Sequence, residues 1–345
     1  MFALLVSLAA ATHASALDPK KLALPTIGSE DRVRMAEAFS LMAAVQDAVW
    51  PTWSQAPSDL VLVDAEFEYL LRSREHPEGF TAPKADPLLG APLLVRKRSF
   101  PVDSLATFPA FGPTPTIVIG TAKATGKAST AWVLTVAHEH FHQLQYSDAD
   151  YWRESKALGL AGDDESGMWM LNYPFPYASV SPSFASLSLE LARLLEAAAP
   201  VGPEPREAFW RQYSALCDSL KPEHYRYLSF QLWQEGIARY VELRVAELAA
   251  REHRVSNDFA GLADYQTFAE AAGSLRRGIV HRLRTDKMDV DKRVVFYAFG
   301  AGLGLLLDQE GVDWQERYLR DKFYLEKYRN LPSTPKGTAR PCRPK

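Results

Sequence analysis

The chain has 345 residues, of which 47% are apolar and 23% charged, and its net charge at neutral pH is −3. That length can bury a full core, as one large domain or two lobes, and the composition is that of an ordinary soluble globular protein. Near-balanced charge without a long single-sign block points to no nucleic acid and no strongly charged surface partner. Only Cys217 and Cys342 are present, so a disulfide scaffold and a four-cysteine zinc site are both excluded.

The N-terminus, MFALLVSLAAATHASA, is an apolar run followed by small residues that ends in Ala14-Ser15-Ala16. This is the A-x-A pattern of a secretory signal, with cleavage expected before Leu17, although no Lys or Arg precedes the apolar run. The alternative is a buried first helix. The run is short for a membrane span, and no cysteine follows it as in a lipoprotein. The expected mature protein is exported, periplasmic or secreted, and has no stable membrane anchor.

Ser29 is placed to cap a helix, with Glu30 and Asp31 in its first turn. RVRMAEAFSLMAAVQDAV follows with helical spacing of apolar residues, and Pro51 ends it. DLVLVDAEFEYLLR, PLLVRKRSF and PTPTIVIGTA each read as strands. Turn residues separate them, among them Pro83, Pro87, Gly90, Pro101, Gly112 and Pro113. After about residue 150 the pattern becomes helical. SFASLSLELARLLEAAA predicts one helix, Pro222 to Arg251 a second, and Val294 to Gln309 a third. The tail 331–345 is rich in Pro, Lys and Arg without apolar periodicity, and disorder is expected there. The fold class is α+β: a strand-bearing N-terminal lobe (about 17–150) and a mainly helical C-terminal lobe (about 151–330).

Between the two lobes lies TVAHEHFHQLQ, which holds three of the eight histidines. His138, Glu139 and His142 fit H-E-x-x-H. On a helix, i and i+4 share a face one turn apart, so both imidazoles can reach one zinc ion. Glu139 lies too far round the helix to be an ideal ligand. It is placed instead to hold a water, take its proton as general base, and return a proton to the leaving amine. Val133, Val136, Ala137, Phe141 and Leu144 form an apolar stripe beside the ligand face. His140 points elsewhere and is expected to support a ligand from behind or to pack, rather than to ligate.

A catalytic zinc needs a third protein ligand and one open position. The metzincin pattern would put a histidine at 148, where this chain has Asp. The cluster Asp163-Asp164-Glu165 is near in sequence but reads as a solvated turn. The stronger candidate is in LWQEGIARYVELRVAE. There, Glu235 to Glu242 resembles the E-G-x-A-x-Y-x-E signature of gluzincin metallopeptidases, most clearly the M1 aminopeptidases, and VAHEHFHQ is similar to that family's V-A-H-E-x-x-H-Q. The resemblance implies a zincin-like fold holding one Zn2+ per chain, with His138, His142 and Glu235 as ligands and Glu139 as base. Gly236 would then let its helix approach the histidine helix closely. Glu242 would be either a partner behind a ligand or an exposed helix residue. A third match lies in VVFYAFGAGLGLLL, where Tyr297 with Gly300-Ala301 fits the family's Y-x-x-G-A. The family tyrosine donates to the oxyanion, which makes Tyr297 the candidate for that role.

Three departures accompany the likeness. His142 and Glu235 are 93 residues apart, far more than in the family, so helical sequence must be inserted between them. The G-x-M-E-N segment that anchors a substrate amine is absent; TPTIVIGTA occupies a comparable place and is the candidate edge strand for pairing with an extended substrate. Position 239 is Arg where thermolysin-like enzymes have Asp; it is a candidate carboxylate binder or a structural arginine.

The expected function is a zinc metallopeptidase acting on peptides or proteins. The alternatives are a silent zincin-like binding protein and a hydrolase of non-peptide amides or esters. SGMWMLNYPFPY, residues 166–177, either lines a substrate cleft or closes a core.

Overall fold

The computed structural model describes residues 25–81, 85–197, 202–311 and 313–329. The expected signal segment, the expected disordered tail and Cys342 lie outside the described residues. Within them the protein is mixed α/β, with a six-stranded sheet in its N-terminal part and a mainly helical C-terminal part.

The strands are β1 (Leu60–Val63), β2 (Phe67–Leu71), β3 (Ala85–Asp86), β4 (Ala91–Lys97), β5 (Leu105–Phe108) and β6 (Thr116–Gly120). Their spatial order is β3-β4-β2-β1-β6-β5. Only β1 and β6 pair in parallel; the other neighbours are antiparallel. The single strand expected in DLVLVDAEFEYLLR is in fact the hairpin β1–β2. Asp64 accepts from the backbone N–H of Glu66 at 2.7 Å and of Phe67 at 2.6 Å, and this side-chain turn reverses the chain. TPTIVIGTA supplies β6, but β6 is an interior strand, buried at every position between β1 and β5. The edge on that side of the sheet is β5, whose short run LATF carries no strong alternation.

Helix α1 (Ser29–Val49) begins one residue earlier than a Ser29 cap would allow, with Gly28 at the cap position and no side-chain cap. It closes at Trp50, which is extended as a residue before proline must be. Helix α2 (Ser129–Ser147) carries the histidines. Then come α3 (Tyr177–Glu196), α4 (Pro203–Ser219) and α5 (Pro222–Gln231). A π-helical turn (Leu232–Gly236) joins α5 to α6 (Ile237–Glu252), and α7 (Phe268–Thr285) and α8 (Val295–Gln309) come after it. The helix expected from Pro222 to Arg251 is thus helical throughout, with one π turn in its middle. Helix α7 starts at a full capping box between Thr267 and Glu270, a signal present in the sequence as T-x-x-E. No described helix is long and apolar enough to cross a membrane.

One apolar core runs from β1, β2 and β6 through α1 and α2 to α6 and α8. The aromatics of residues 166–177 join it: Trp169 packs on Phe230 (4.9 Å between ring centres) and Phe175 on Phe296 (5.7 Å). They close a core rather than line an open cleft, though Met168 and Leu171 stay exposed.

Gly236 does not face α2, as the sequence suggested. It meets α8, where a Cβ on Gly236 would stand 2.5 Å from the Gly300 Cα and 3.1 Å from the Phe296 carbonyl oxygen. Gly300 is equally crowded, with a built Cβ 2.6 Å from the Gly236 Cα. The two helices cross backbone to backbone. Gly236→Ala should therefore destabilise the fold by ~1–3 kcal/mol, the cost of overpacking, despite alanine's better helix propensity. Urea unfolding measures this; an unchanged midpoint would refute the tight crossing.

Candidate metal centre

Nearly every residue of α2 from Ser129 to Gln145 is buried, so its polar side chains need partners. At its N-terminus Asp264 accepts from the Ser129 backbone N–H (3.0 Å) and from the Ser129 hydroxyl. A carboxylate there meets both the free N–H groups and the helix dipole. Thr130 donates to the Gln266 carbonyl at 2.6 Å. These bonds fasten α2 to the loop that leads into α7.

The faces of α2 differ in their partners. On one, Gln143 donates to the carbonyls of Asp59 (2.9 Å) and Pro115 (2.8 Å), tying the helix to the sheet. His140 lies on that side, stacked on Trp53, with its ring nitrogens against Gln143 Oε1 (2.8 Å) and Gln46 Oε1 (3.1 Å). Burial outweighs its hydrogen bond and lowers the His140 pKa to about 4. It is a packed neutral residue that turns away from the centre, as expected.

On the opposite face His138 and His142 converge with Glu235. Glu235 Oε2 lies 3.5 Å from His142 Nε2 and 4.0 Å from His138 Nε2, and one donor atom from each of the three falls within 4.8 Å of the others. Donors on one tetrahedral zinc at ~2.0–2.1 Å would stand about 3.3–3.4 Å apart. The three residues fit such an ion with small side-chain adjustments. The electrostatics make the same demand. Burial alone would raise the Glu235 pKa, but the hydrogen bond and charge of His142, with His138 and Arg293, hold it well below the usual range. Burial would lower the His142 pKa, yet Glu235 and Glu139 raise it. The pocket calls for positive charge between these groups, supplied by a proton or by a metal ion.

The outer partners complete the arrangement. His142 Nδ1 faces Gln145 Oε1 at 2.6 Å, which leaves Nε2 to the centre. Gln145 is held in turn by Gln234 (2.8 Å) and by the Tyr318 hydroxyl (2.6 Å). Such bonds behind a ligand set its tautomer and orientation. Glu242 is buried, not exposed: its Oε2 lies 3.5 Å from His138 Nδ1 and accepts from Arg239 Nη1 at 2.5 Å. Arg239 is thereby a structural arginine.

No protein-family model matches the chain, and no curated protein and no solved structure is significantly similar to it.

Glu139 is buried next to the histidine face, and the single O–H of Thr107 of β5 is shared between its Oε2 and its backbone carbonyl, each 2.9 Å from Thr107 Oγ1. The edge strand thus fixes the carboxylate. Tyr297, one turn before Gly300, stacks on His138 with ring centres 6.2 Å apart. Arg293 Nη1 donates to the Tyr297 hydroxyl at 2.9 Å and lies 3.8 Å from Glu235 Oε1. Burial and the Glu235 charge raise the Tyr297 pKa far above the ordinary phenol value, so its O–H remains a donor. The Asp163–Glu165 cluster is not in the group: Asp163 and Glu165 are exposed, and Asp164 caps Ser166 and Trp169 backbone N–H groups at 2.8 and 2.6 Å.

Sequence reasoning misses Thr107, Gln145, Gln234 and Arg293. Only Arg293 carries a usable signal, a cation one helical turn before Tyr297. Thr107→Val removes the one hydroxyl donated to a buried carboxylate and should cost ~1–3 kcal/mol. Thr107→Ser should keep most of it. Paired denaturant titrations check this, and equal loss in both variants would show that the methyl group, not the hydroxyl, matters.

Proposed function

We propose that this chain is a metal-dependent hydrolase, a zinc metallopeptidase of the gluzincin type. The observation that supports it is the convergence of His138 and His142 with Glu235 from a helix 93 residues away, beside a glutamate that its own hydrogen bonds hold in place. Nitrogen and carboxylate donors in a set of three suit a catalytic zinc with one open position. When bound, such an ion lowers the pKa of water and polarises a carbonyl.

The chain's own residues supply the rest. Glu139, oriented by Thr107, takes a proton from water and delivers one to the leaving amine. Tyr297 donates its O–H to the oxygen that becomes negative, and Arg293 reinforces that field. The outer edge of β5 offers backbone groups to an extended peptide, on the strand that also holds Glu139. A purely structural ion site needs no oriented base, so the catalytic reading is preferred to a silent binding scaffold.

Two experiments test it. Purified chain from residue 17 onward should bind about one zinc per chain, and Glu235→Ala should lose it. Full retention in Glu235→Ala would remove that residue from the ligand set, and no zinc in the wild type after reconstitution would end the proposal. Second, Glu139→Gln should lower kcat by ~100- to 10,000-fold with metal content preserved, the usual worth of a general base. Tyr297→Phe should lower kcat by ~100-fold, the cost of one oxyanion donor, with zinc retained. Peptide turnover by mass spectrometry reads both; a fully active Glu139→Gln refutes the mechanism.

A further inference from the structure

KRVVFY leads into α8 with a cation one turn before Tyr297, and the fold sets that cation against the candidate centre. Arg293 Nη1 donates to the Tyr297 hydroxyl at 2.9 Å and stands 3.8 Å from Glu235 Oε1. Among the described residues Glu235 is its only counter-charge. The acids nearest in sequence are engaged elsewhere: Asp289 accepts from the Ser181 hydroxyl at 3.2 Å and Asp291 from the Lys287 backbone N–H at 2.7 Å. Arg293 Nε and Nη2 have no hydrogen-bond partner among the described residues, and neither is buried away from water. With the side chain 26% exposed, that edge of the guanidinium is open.

Charge and shape both call for an anion on this edge. As a ligand, Glu235 gives its charge to the ion. A divalent ion together with Arg293 then outweighs Glu235 and Glu139, while Glu242 and Arg239 cancel each other at 2.5 Å. A positive excess in a partly enclosed site favours a negative group on the substrate. Nε–H and Nη2–H point the same way from one planar edge, the fork that grips a carboxylate through two parallel hydrogen bonds.

Distance selects which carboxylate. An oxygen held by the Tyr297 O–H at ~2.7–2.8 Å shares that hydroxyl with Arg293, which puts the guanidinium about 4–5 Å from the reacting carbonyl. Three backbone bonds separate that carbonyl carbon from the carboxyl carbon of the next residue, a span of about 4 Å. A terminal residue presents a carboxylate there, and an internal residue only a neutral amide.

We propose that the open edge of Arg293 binds the terminal carboxylate of the substrate, so that the hydrolase removes the last residue of a peptide. The inference rests on the metallopeptidase reading for the reaction and deepens it by naming the end of the chain that is read. Nη1 keeps its bond to Tyr297, while Nε and Nη2 hold the carboxylate. Water adds across the last peptide bond: the C–N bond breaks, the hydroxyl joins the carbonyl carbon, the proton goes to the leaving amine, and a free amino acid departs.

The test varies the terminal group. Zinc-loaded full-length chain is given N-acetylated peptides, each made as a C-terminal acid and as a C-terminal amide, and products are read by mass spectrometry. Wild type should release the last residue of the acids, with acid over amide by about 100-fold in kcat/KM. Arg293→Gln keeps a donor for Tyr297 but loses the charge and the fork; it should reduce that ratio to about threefold or less with zinc content unchanged. An arginine that served only the fold or the oxyanion would lower acid and amide turnover alike and leave the ratio as it was. In parallel, ligand-observed NMR follows binding of acetyl-Ala-Ala-Ala, as acid and as amide, to zinc-reconstituted Glu139→Gln. The acid should bind about tenfold more tightly, and adding Arg293→Gln should abolish the difference.

Cleavage indifferent to the terminal group, or an acid preference that survives Arg293→Gln, overturns the carboxylate site while leaving the metallopeptidase reading intact. Absence of all cleavage overturns that reading, and the NMR comparison still decides the site: equal binding of acid and amide refutes it. Should Arg293→Gln not fold, Arg293→Lys keeps the charge without the fork and should lower the acid-to-amide ratio by about tenfold; an unchanged ratio refutes the fork.

Discussion

The crossing of two glycines, Gly236 and Gly300, is the constraint on which the centre depends. With Cβ positions only 2.5–2.6 Å from the opposite backbone, no other residue pair allows α6 and α8 to approach so closely. Glu235 directly precedes one glycine, and Tyr297 lies one turn before the other. Their proximity is a consequence of the crossing. The π-helical turn at Leu232–Gly236 adds a second constraint. One extra residue in a helical turn rotates the rest of the helix, a device common at functional positions, and here it occurs where Glu235 must turn toward α2.

Helix α2 is the other half of the arrangement. Buried almost throughout, it is held at its start by Asp264, on its sheet side by Gln143, and near its end by Gln145. Each bond satisfies a polar group that burial would otherwise penalise. Together they fix both the axial position and the rotation of the helix. His138 and His142 therefore present their Nε2 atoms to Glu235, while His140, two residues from each, packs against Trp53. The attachment to residues 264–266 has a further effect: it brings α7 alongside α2, and a cavity lined by Leu134, Leu275 and Ile279 lies between them.

The strands show where reading a sequence fails and why. β6 is legible because TIVIG is continuously apolar, but the same burial places it inside the sheet, not at its edge. β5 is illegible because its four residues are largely exposed or half-buried, and its importance comes from Thr107 reaching Glu139. Helices α4 and α7 are absent from the sequence-based expectation, although the T-x-x-E box marks the start of α7. The hairpin β1–β2 reads as one strand because the reversal depends on a single aspartate side chain.

By itself the sequence determined the local chemistry: a helix with His138 and His142 on one face, Glu139 adjacent, His140 pointing elsewhere, and a distant Glu235 followed by glycine. Helical spacing places residues a few positions apart without further information. Tertiary structure alone decided which elements meet. It brought Glu235 to the histidines across 93 residues, put Glu242 behind His138, moved the close approach of Gly236 from α2 to α8, and made β5 an edge strand. These outcomes depend on how buried surfaces and buried polar groups are jointly satisfied, and no spacing along the chain encodes that balance.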